Sequence, residues 1–255
     1  MKKYKAIIAY DGTDFCGWQI QPQAITITSC MQNTFEKVFQ RPVTIVGASR
    51  TDSGVHALGQ VATFSTDLNL STATIKTAWN NRLPKSILIR DLQETTLDFN
   101  PHKSVRQKTY YYHLFFKKQN PFLARFGWHY EFINHVDFGK FSTALALYEG
   151  EHDFASFCKI EDKEKSTIRT IDSIALTKIP RYGMLRVTIK GKSFLRFQIR
   201  RMVGYALDLA RRKDLPVSYL QEIRDNPNPQ QILLKADGCG LCLRKVIYHD
   251  EISNQ

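Results

Sequence analysis

The sequence holds no long apolar run, no low-complexity tract and no short tandem repeat. A membrane-spanning helix needs about 20 apolar residues in succession, and no stretch comes near that. The start, Met1-Lys2-Lys3-Tyr4-Lys5, leads into a strand pattern rather than an apolar signal core. The chain is therefore read as cytoplasmic, with no membrane partner. Cysteine is sparse. There are five, an odd number and mostly scattered, which argues against a disulfide framework. Asp52 also lacks an acidic neighbour in sequence. The carboxylate nearest in sequence to Asp52 is Asp67, so neither a carboxylate metal site nor a paired glycosidase acid and base is expected. Cys239-Gly240-Leu241-Cys242 is a C-x-x-C, but without a second pair it is a weak signal for zinc or redox chemistry.

What the chain does have is positive charge. It carries 36 Lys and Arg against 24 Asp and Glu, a net charge of +12. Up to Arg125 there are 16 basic residues against 8 acidic, and beyond it 20 against 16, so the excess is spread along the chain. Such a distribution suits a surface that tracks a phosphate backbone better than a detachable basic arm. With 255 residues, 43% of them hydrophobic, the chain is long enough for one large domain or two small ones.

Tyr4–Tyr10 reads as a strand with apolar residues on both faces, a helix is expected from Ser29 with Ser29 and Gln32 at capping-box spacing, and a strand at Gln60–Phe64. A helix over Ser71–Asn81 and a strand at Ile87–Leu92 follow. Further on come the β-prone run Thr109–Phe116, a helix over Asp137–Glu149, and strands at Ile168–Leu176 and Leu185–Lys190. A helix over Phe194–Arg212, a short one over Val217–Asp225 and a last strand at Leu241–His249 close the chain. The second half roughly repeats the first. The expected fold is α+β: two ferredoxin-like halves, residues 1–103 and 104–255, forming one continuous, mainly antiparallel sheet flanked by helices, with a central cleft.

Three features carry possible chemistry. Ser49-Arg50-Thr51-Asp52-Ser53-Gly54-Val55-His56-Ala57 is a loop between two strand-like runs, and catalytic residues are often held on such loops. Asp52 suits a nucleophile or a general base. Taken alone, Arg50 and Asp52 read as an ordinary loop salt bridge. The segment around Gly191–Gly204 carries Lys190, Lys192, Arg196, Arg200 and Arg201, a pattern suited to phosphate contacts, with Arg200 flanking the apolar stripe and able to reach inward. Tyr110 and Tyr112 share one strand face, and a tyrosine facing a cleft can stack on a base. Tyr111 and Tyr112 are read as core. His56 is near enough to Asp52 to act as a base, though its spacing does not point to it.

Six segments in order resemble the TruA-type tRNA pseudouridine synthases. Tyr10-Asp11-Gly12-Thr13-Asp14-Phe15-Cys16-Gly17-Trp18-Gln19 is similar to the family's opening motif, and Gly47–Ala62 to its catalytic motif, almost residue for residue. The segment Phe99–Tyr112, with Ser104, Lys108 and Tyr110, resembles the tyrosine strand. Gly150-Glu151-His152-Asp153-Phe154 resembles the central signature, Phe194–Gly204 the arginine helix and Gly240-Leu241-Cys242-Leu243 the closing strand. Two regions depart from the pattern. Arg196-Phe197-Gln198 stands where bacterial members often place His-His-Met, and Lys235-Ala236-Asp237-Gly238-Cys239 precedes Gly240.

The resemblance implies an isomerase that converts uridine to pseudouridine without metal or cofactor. Its implied target is the tRNA anticodon stem-loop, positions 38–40, bound by a homodimer. Carried over by position, Asp52 is the catalytic carboxylate, and the resemblance leaves it three roles: attack on C1′, attack on the base, or abstraction of a sugar proton. Arg50 matches the arginine that enters the RNA, Tyr110 the tyrosine that stacks on uracil, Arg200 the partner of the aspartate and Leu241 the pocket leucine. Lys192 and Arg196 are the expected RNA contacts. On this reading Arg200 replaces Arg50 as the counter-charge of Asp52. Two alternatives stand beside it: the same chemistry on another RNA, such as ribosomal RNA, and a catalytically silent RNA-binding protein.

Overall fold

The computed structural model describes residues 1–160 and 166–249. Of the basic segment around Lys163, Lys165 and Arg169, only Arg169 lies among them. In chain order the elements are β1 (Lys2–Tyr10), α1 (Ile27–Phe39), β2 (Val46–Gly47), β3 (His56–Thr66), α2 (Thr72–Asn80), β4 (Ile87–Thr95), β5 (Val105–Phe115), α3 (Pro121–Ala124), α4 (Phe138–Ala146), β6 (Gly150–Asp153), β7 (Ile168–Ile179), β8 (Met184–Gly191), α5 (Gln198–Arg211), α6 (Ser218–Asp225) and β9 (Leu241–Tyr248).

By their contacts these fall into two α+β units. The first is Met1–Lys108 together with the chain from Cys242 onward, the second Thr109–Leu241. The division expected at 103/104 follows the order of elements along the chain. By contacts, nearly all of the closing strand β9 groups with the first unit. Strand β5 starts in the first unit and continues in the second.

In the first unit the strands run β4-β1-β3-β9, with β2 against β3. Strand β1 pairs antiparallel with both neighbours, from Lys2 opposite Thr66 and Lys3 opposite Thr95. The β3–β9 pairing is parallel at His56 and Cys242. Along β1 every second residue is buried, Tyr4, Ala6, Ile8 and Tyr10, which is the period a strand with one covered face demands. Phe35 of α1, Phe64 of β3 and Trp79 of α2 meet edge to face, and Tyr4 stacks on Phe64 at 5.2 Å. Such pairs add roughly 1 kcal/mol each beyond simple burial. The Trp79 indole N–H donates to the carbonyl of Met31 at 3.2 Å, so the two helices are joined as well as packed.

Helix α1 starts earlier than the capping-box spacing of Ser29 and Gln32 predicts. Its cap is Thr26, whose hydroxyl accepts the Ser29 amide while the Ser29 hydroxyl accepts the Thr26 amide. Ser29 is thus the third residue of the helix, not its cap. The misreading is natural, because Ser29 can serve either end of the reciprocal pair.

In the second unit the order is β5-β8-β7-β6, with β7 antiparallel to both β8 and β6. Helices α4 and α5 bury Phe141, Leu145, Met202 and Leu209, and Tyr148, Phe154 and Phe157 fill the space beside them. Strand β6 and the four-residue α3 have no counterpart in the sequence expectation. Both are too short to show a period. Helix α5 begins at Gln198 rather than Phe194, because Phe197 sits at φ 64 in the left-handed region and interrupts any helix entering from its N-terminal side.

Candidate active site

The aspartate loop of the first unit is tied down almost residue by residue. At its entry the Ala48 amide donates to the carbonyl of Val61 at 2.7 Å. Ser49 is gripped by Gln60, whose Oε1 accepts the Ser49 amide at 3.2 Å and whose amide nitrogen donates to the Ser49 carbonyl at 2.6 Å. Gln60 is fully buried, so its amide works as a fixed surrogate strand. The Thr51 hydroxyl lies 2.8 Å from the hydroxyl of Tyr10, and the Thr51 carbonyl accepts the Trp18 amide at 3.0 Å. The Asp52 carbonyl accepts the Val55 amide at 3.2 Å, closing a turn. The Gly54 amide and the Ser53 hydroxyl both donate to the Phe15 carbonyl, each at 3.3 Å.

The opening motif is therefore the mould for the aspartate loop. Gly17 has φ +87, and a Cβ there would lie 2.4 Å from the Thr51 carbonyl oxygen. A Cβ on Gly12 would lie 2.0 Å from the Val55 carbonyl oxygen. Only glycine lets the two segments approach this closely. The Gly12 amide lies 3.1 Å from Nδ1 of His56, and Asp11 Oδ1 lies 3.2 Å from the same nitrogen. Bare Nδ1 accepts from the amide, and a protonated ring pairs instead with the carboxylate. His56 is buried in this contact, which fits a structural role rather than that of a base. Within the loop Arg50 is exposed and Asp52 half-buried.

A cation also sits under the loop. Lys108 is buried, and its ammonium donates to the Ala48 carbonyl at 2.7 Å and approaches Ser49 Oγ at 3.4 Å. Burial pulls its pKa from 10.5 down to about 8. Nearby His102 is also lowered, by burial first and then by Lys108 and Arg50, against the opposing pull of the Ala48 carbonyl.

The other expected residues lie in the second unit. Tyr110 is buried on β5, its ring edge-on to Phe194 at 5.1 Å. Arg200, in the first turn of α5, donates through Nε to the Ala236 carbonyl at 2.8 Å, while its own carbonyl accepts the Ala236 amide at 3.0 Å. Phe197 carries three cations around its ring: Arg196 at 4.9 Å, Arg200 at 5.5 Å and Lys235 at 4.3 Å. Lys192 and Arg196 are exposed, and Leu241 is buried. Because the helix starts only at Gln198, Arg196 lies in the approach loop, not on the helix. Tyr112 is in the core, its hydroxyl donating to the Asp237 carbonyl at 2.7 Å. Tyr111 points to the opposite face and is half-exposed, with the Arg186 guanidinium 4.2 Å from its ring.

The Cys239 thiol is pushed up to about 12, by burial first and by Asp237 second, and so stays protonated. Among the described residues no group of three His, Cys, Asp or Glu is placed to hold a metal ion. Sequence reasoning missed Tyr10 and Gln60 as partners of the loop, and Lys235 beside Phe197. It shows Lys108 only as part of a motif. The one usable signal was parity: Lys108 falls on the same strand face as Tyr110, Tyr112 and Leu114, all buried.

With this geometry in hand, comparison with known proteins gives the class. Residues 6–102 and 144–249 match the family model described as tRNA pseudouridine synthase, and the chain belongs to that family, an isomerase family. Among its relatives is the tRNA pseudouridine synthase A of Thermodesulfovibrio yellowstonii, 36% identical over 97% of this chain and 100% of the relative. That of Leuconostoc citreum is 33% identical over the whole of both chains. A tRNA pseudouridine synthase A 2 of Clostridium perfringens is 34% identical over 97% of this chain and all of its own.

Proposed function

We propose that this protein isomerises uridine to pseudouridine in the anticodon stem-loop of tRNA, with Asp52 as the catalytic carboxylate. The observation that carries the reading is the loop itself. Hydrogen bonds hold Ala48, Ser49 and every residue of 51–55, and that frame presents an exposed Arg50 and a half-buried Asp52. Preorganisation of this kind is what holding a reacting group in place requires.

The reaction balances within one nucleotide. The N1–C1′ bond breaks, the uracil turns, C5 bonds to C1′, a proton leaves C5 and one is taken up at N1. No electrons are gained or lost overall. A base in a stem must first be extruded, which takes a wedge and a stacking surface. Arg50 is the proposed wedge and Tyr110 the surface that stacks on the base and helps remove the C5 proton. Arg200 is the proposed counter-charge that keeps Asp52 ionised, and Leu241 lines the base pocket. A lone carboxylate in a closing pocket would otherwise tend to take up a proton. Lys192 and Arg196 are the proposed phosphate contacts, in keeping with the net charge of +12. The proposed working form is a cytoplasmic homodimer. No described helix is long and apolar enough to cross a membrane.

The test is pseudouridine mapping of total RNA from cells with the gene intact, deleted, or replaced by Asp52→Ala. The expected result is loss of pseudouridine at anticodon stem-loop positions on deletion, restored by the wild type and not by the variant. An unchanged map after deletion, or full restoration by Asp52→Ala, would overturn the reading.

A further inference from the structure

A buried ammonium is an expensive thing to place in a protein, and it survives where something depends on it. Lys108 is such a group. Among the described residues its contacts are the Ala48 carbonyl at 2.7 Å and the Ser49 hydroxyl at 3.4 Å, with no carboxylate among them. A cation that served only to balance charge would sit beside an acid. This one is aimed at backbone, at the entry to the loop. Ala48 and Ser49 are also the residues gripped from the other side, Ala48 by Val61 and Ser49 by Gln60. The entry is thus held between β3 and the Lys108 side chain reaching in from β5. Downstream the chain has only Arg50 and Thr51 before Asp52, and Thr51 is itself fixed to Tyr10 and Trp18.

The lowered pKa of Lys108 agrees with this geometry, since burial without an acid makes the charged form costly. A second lowered group stands beside it: His102, on the chain before β5, whose pKa falls through burial first and then through Lys108. The charge-assisted bond to a carbonyl is the strong kind, about twice a neutral one.

We infer that Lys108 is a positioning residue for the aspartate loop, its side chain pinning the Ala48–Ser49 backbone so that Arg50 and Asp52 are presented from a fixed stem. It does not touch the reacting atoms. Its effect on turnover runs through Asp52 and rests on the reading of function given above. Its effect on the loop does not.

The test uses full-length wild type and Lys108→Met, which keeps the length and volume of the side chain and removes its donors. Amide hydrogen exchange is followed over residues 48–54 and over β1 and β4, and turnover is measured on a tRNA substrate. Loop amides should exchange at least roughly tenfold faster in the variant while β1 and β4 are unchanged. Turnover at saturating tRNA should fall about 100-fold with the dissociation constant for tRNA within twofold. Equal exchange in the loop, or unchanged turnover, overturns the inference, as does a uniform rise in exchange throughout the first unit. If Lys108→Met does not fold, the smaller Lys108→Gln is read by the same criteria. A wild type that makes no pseudouridine while loop exchange responds as expected refutes the functional reading and leaves the anchor standing.

Discussion

The hydroxyl of Tyr10 lies 2.8 Å from that of Thr51, and both residues are buried. One ends the first strand of the chain, and the other stands next to the proposed catalytic aspartate. The bond joins two segments 41 residues apart and fixes the loop one residue short of Asp52. Tyr10→Phe keeps the ring against Trp18 but leaves the Thr51 hydroxyl without this partner. An unmet buried hydroxyl costs about 1–3 kcal/mol. Urea denaturation should show that loss, with the m-value unchanged. A wild-type midpoint would mean that solvent replaces the tyrosine at no cost.

Gly17→Ala should be far more damaging to turnover than its size suggests. The new methyl would stand 2.4 Å from the Thr51 carbonyl oxygen on a residue with φ +87. The loop must move, and a displacement of about 1 Å at a reacting group can cost 100-fold in rate. Binding of tRNA, which rests on the basic surface, should change little. The check is turnover and affinity on the same preparation. A variant with wild-type turnover would show that the loop tolerates the shift.

Lys192→Ala and Arg196→Ala should act on affinity and salt dependence rather than on chemistry. Both side chains are exposed. Each lost phosphate contact lowers the slope of log affinity against log salt by about 0.7–0.9. Binding titrations at several salt concentrations read this directly, and the single-turnover rate at saturating RNA should hold. An unaltered slope in both variants would remove them from the RNA path.

Lys108 also gives a pH signature in stability. Its folded pKa is about 8 against 10.5 for the free side chain. Below pH 8 both states hold the proton, and the folded protein bears a constant penalty of about 3 kcal/mol. Between 8 and 10.5 the unfolded chain still holds the proton and the folded one has released it, so this group's contribution to stability rises with pH. The wild type should therefore gain on Lys108→Met as the pH goes from 7 to 10. Paired urea melts at the two values measure the difference, and parallel pH curves for the two proteins would contradict it.

Much of this was legible in the residues themselves. Helical spacing around Phe35 and Trp79 follows from burying one face of each helix, so periodicity alone found them, whereas the Tyr4–Tyr10 strand, read as apolar on both faces, buries only alternate residues. The α+β class followed from the order of strands and helices, and the family from motifs in fixed order. Sequence placed Asp52 and Arg50 in a loop between strands, which is where they lie. It could not say what holds that loop. The grip of Gln60 on Ser49, the Tyr10–Thr51 bond and the Lys108 ammonium under Ala48 join positions 11, 41 and 60 residues apart. Nothing in local propensity encodes such partners. The start of α5 escaped for a different reason. Arg196-Phe197-Gln198 has ordinary helical composition, and Phe197 takes the left-handed conformation in a setting where its ring meets Arg196, Arg200 and Lys235. Sequence settled which residues carry charge and which seek the core, because those are properties of single side chains. Tertiary structure decided which backbone each polar group holds, because a hydrogen bond exists only once the fold has brought its two ends together.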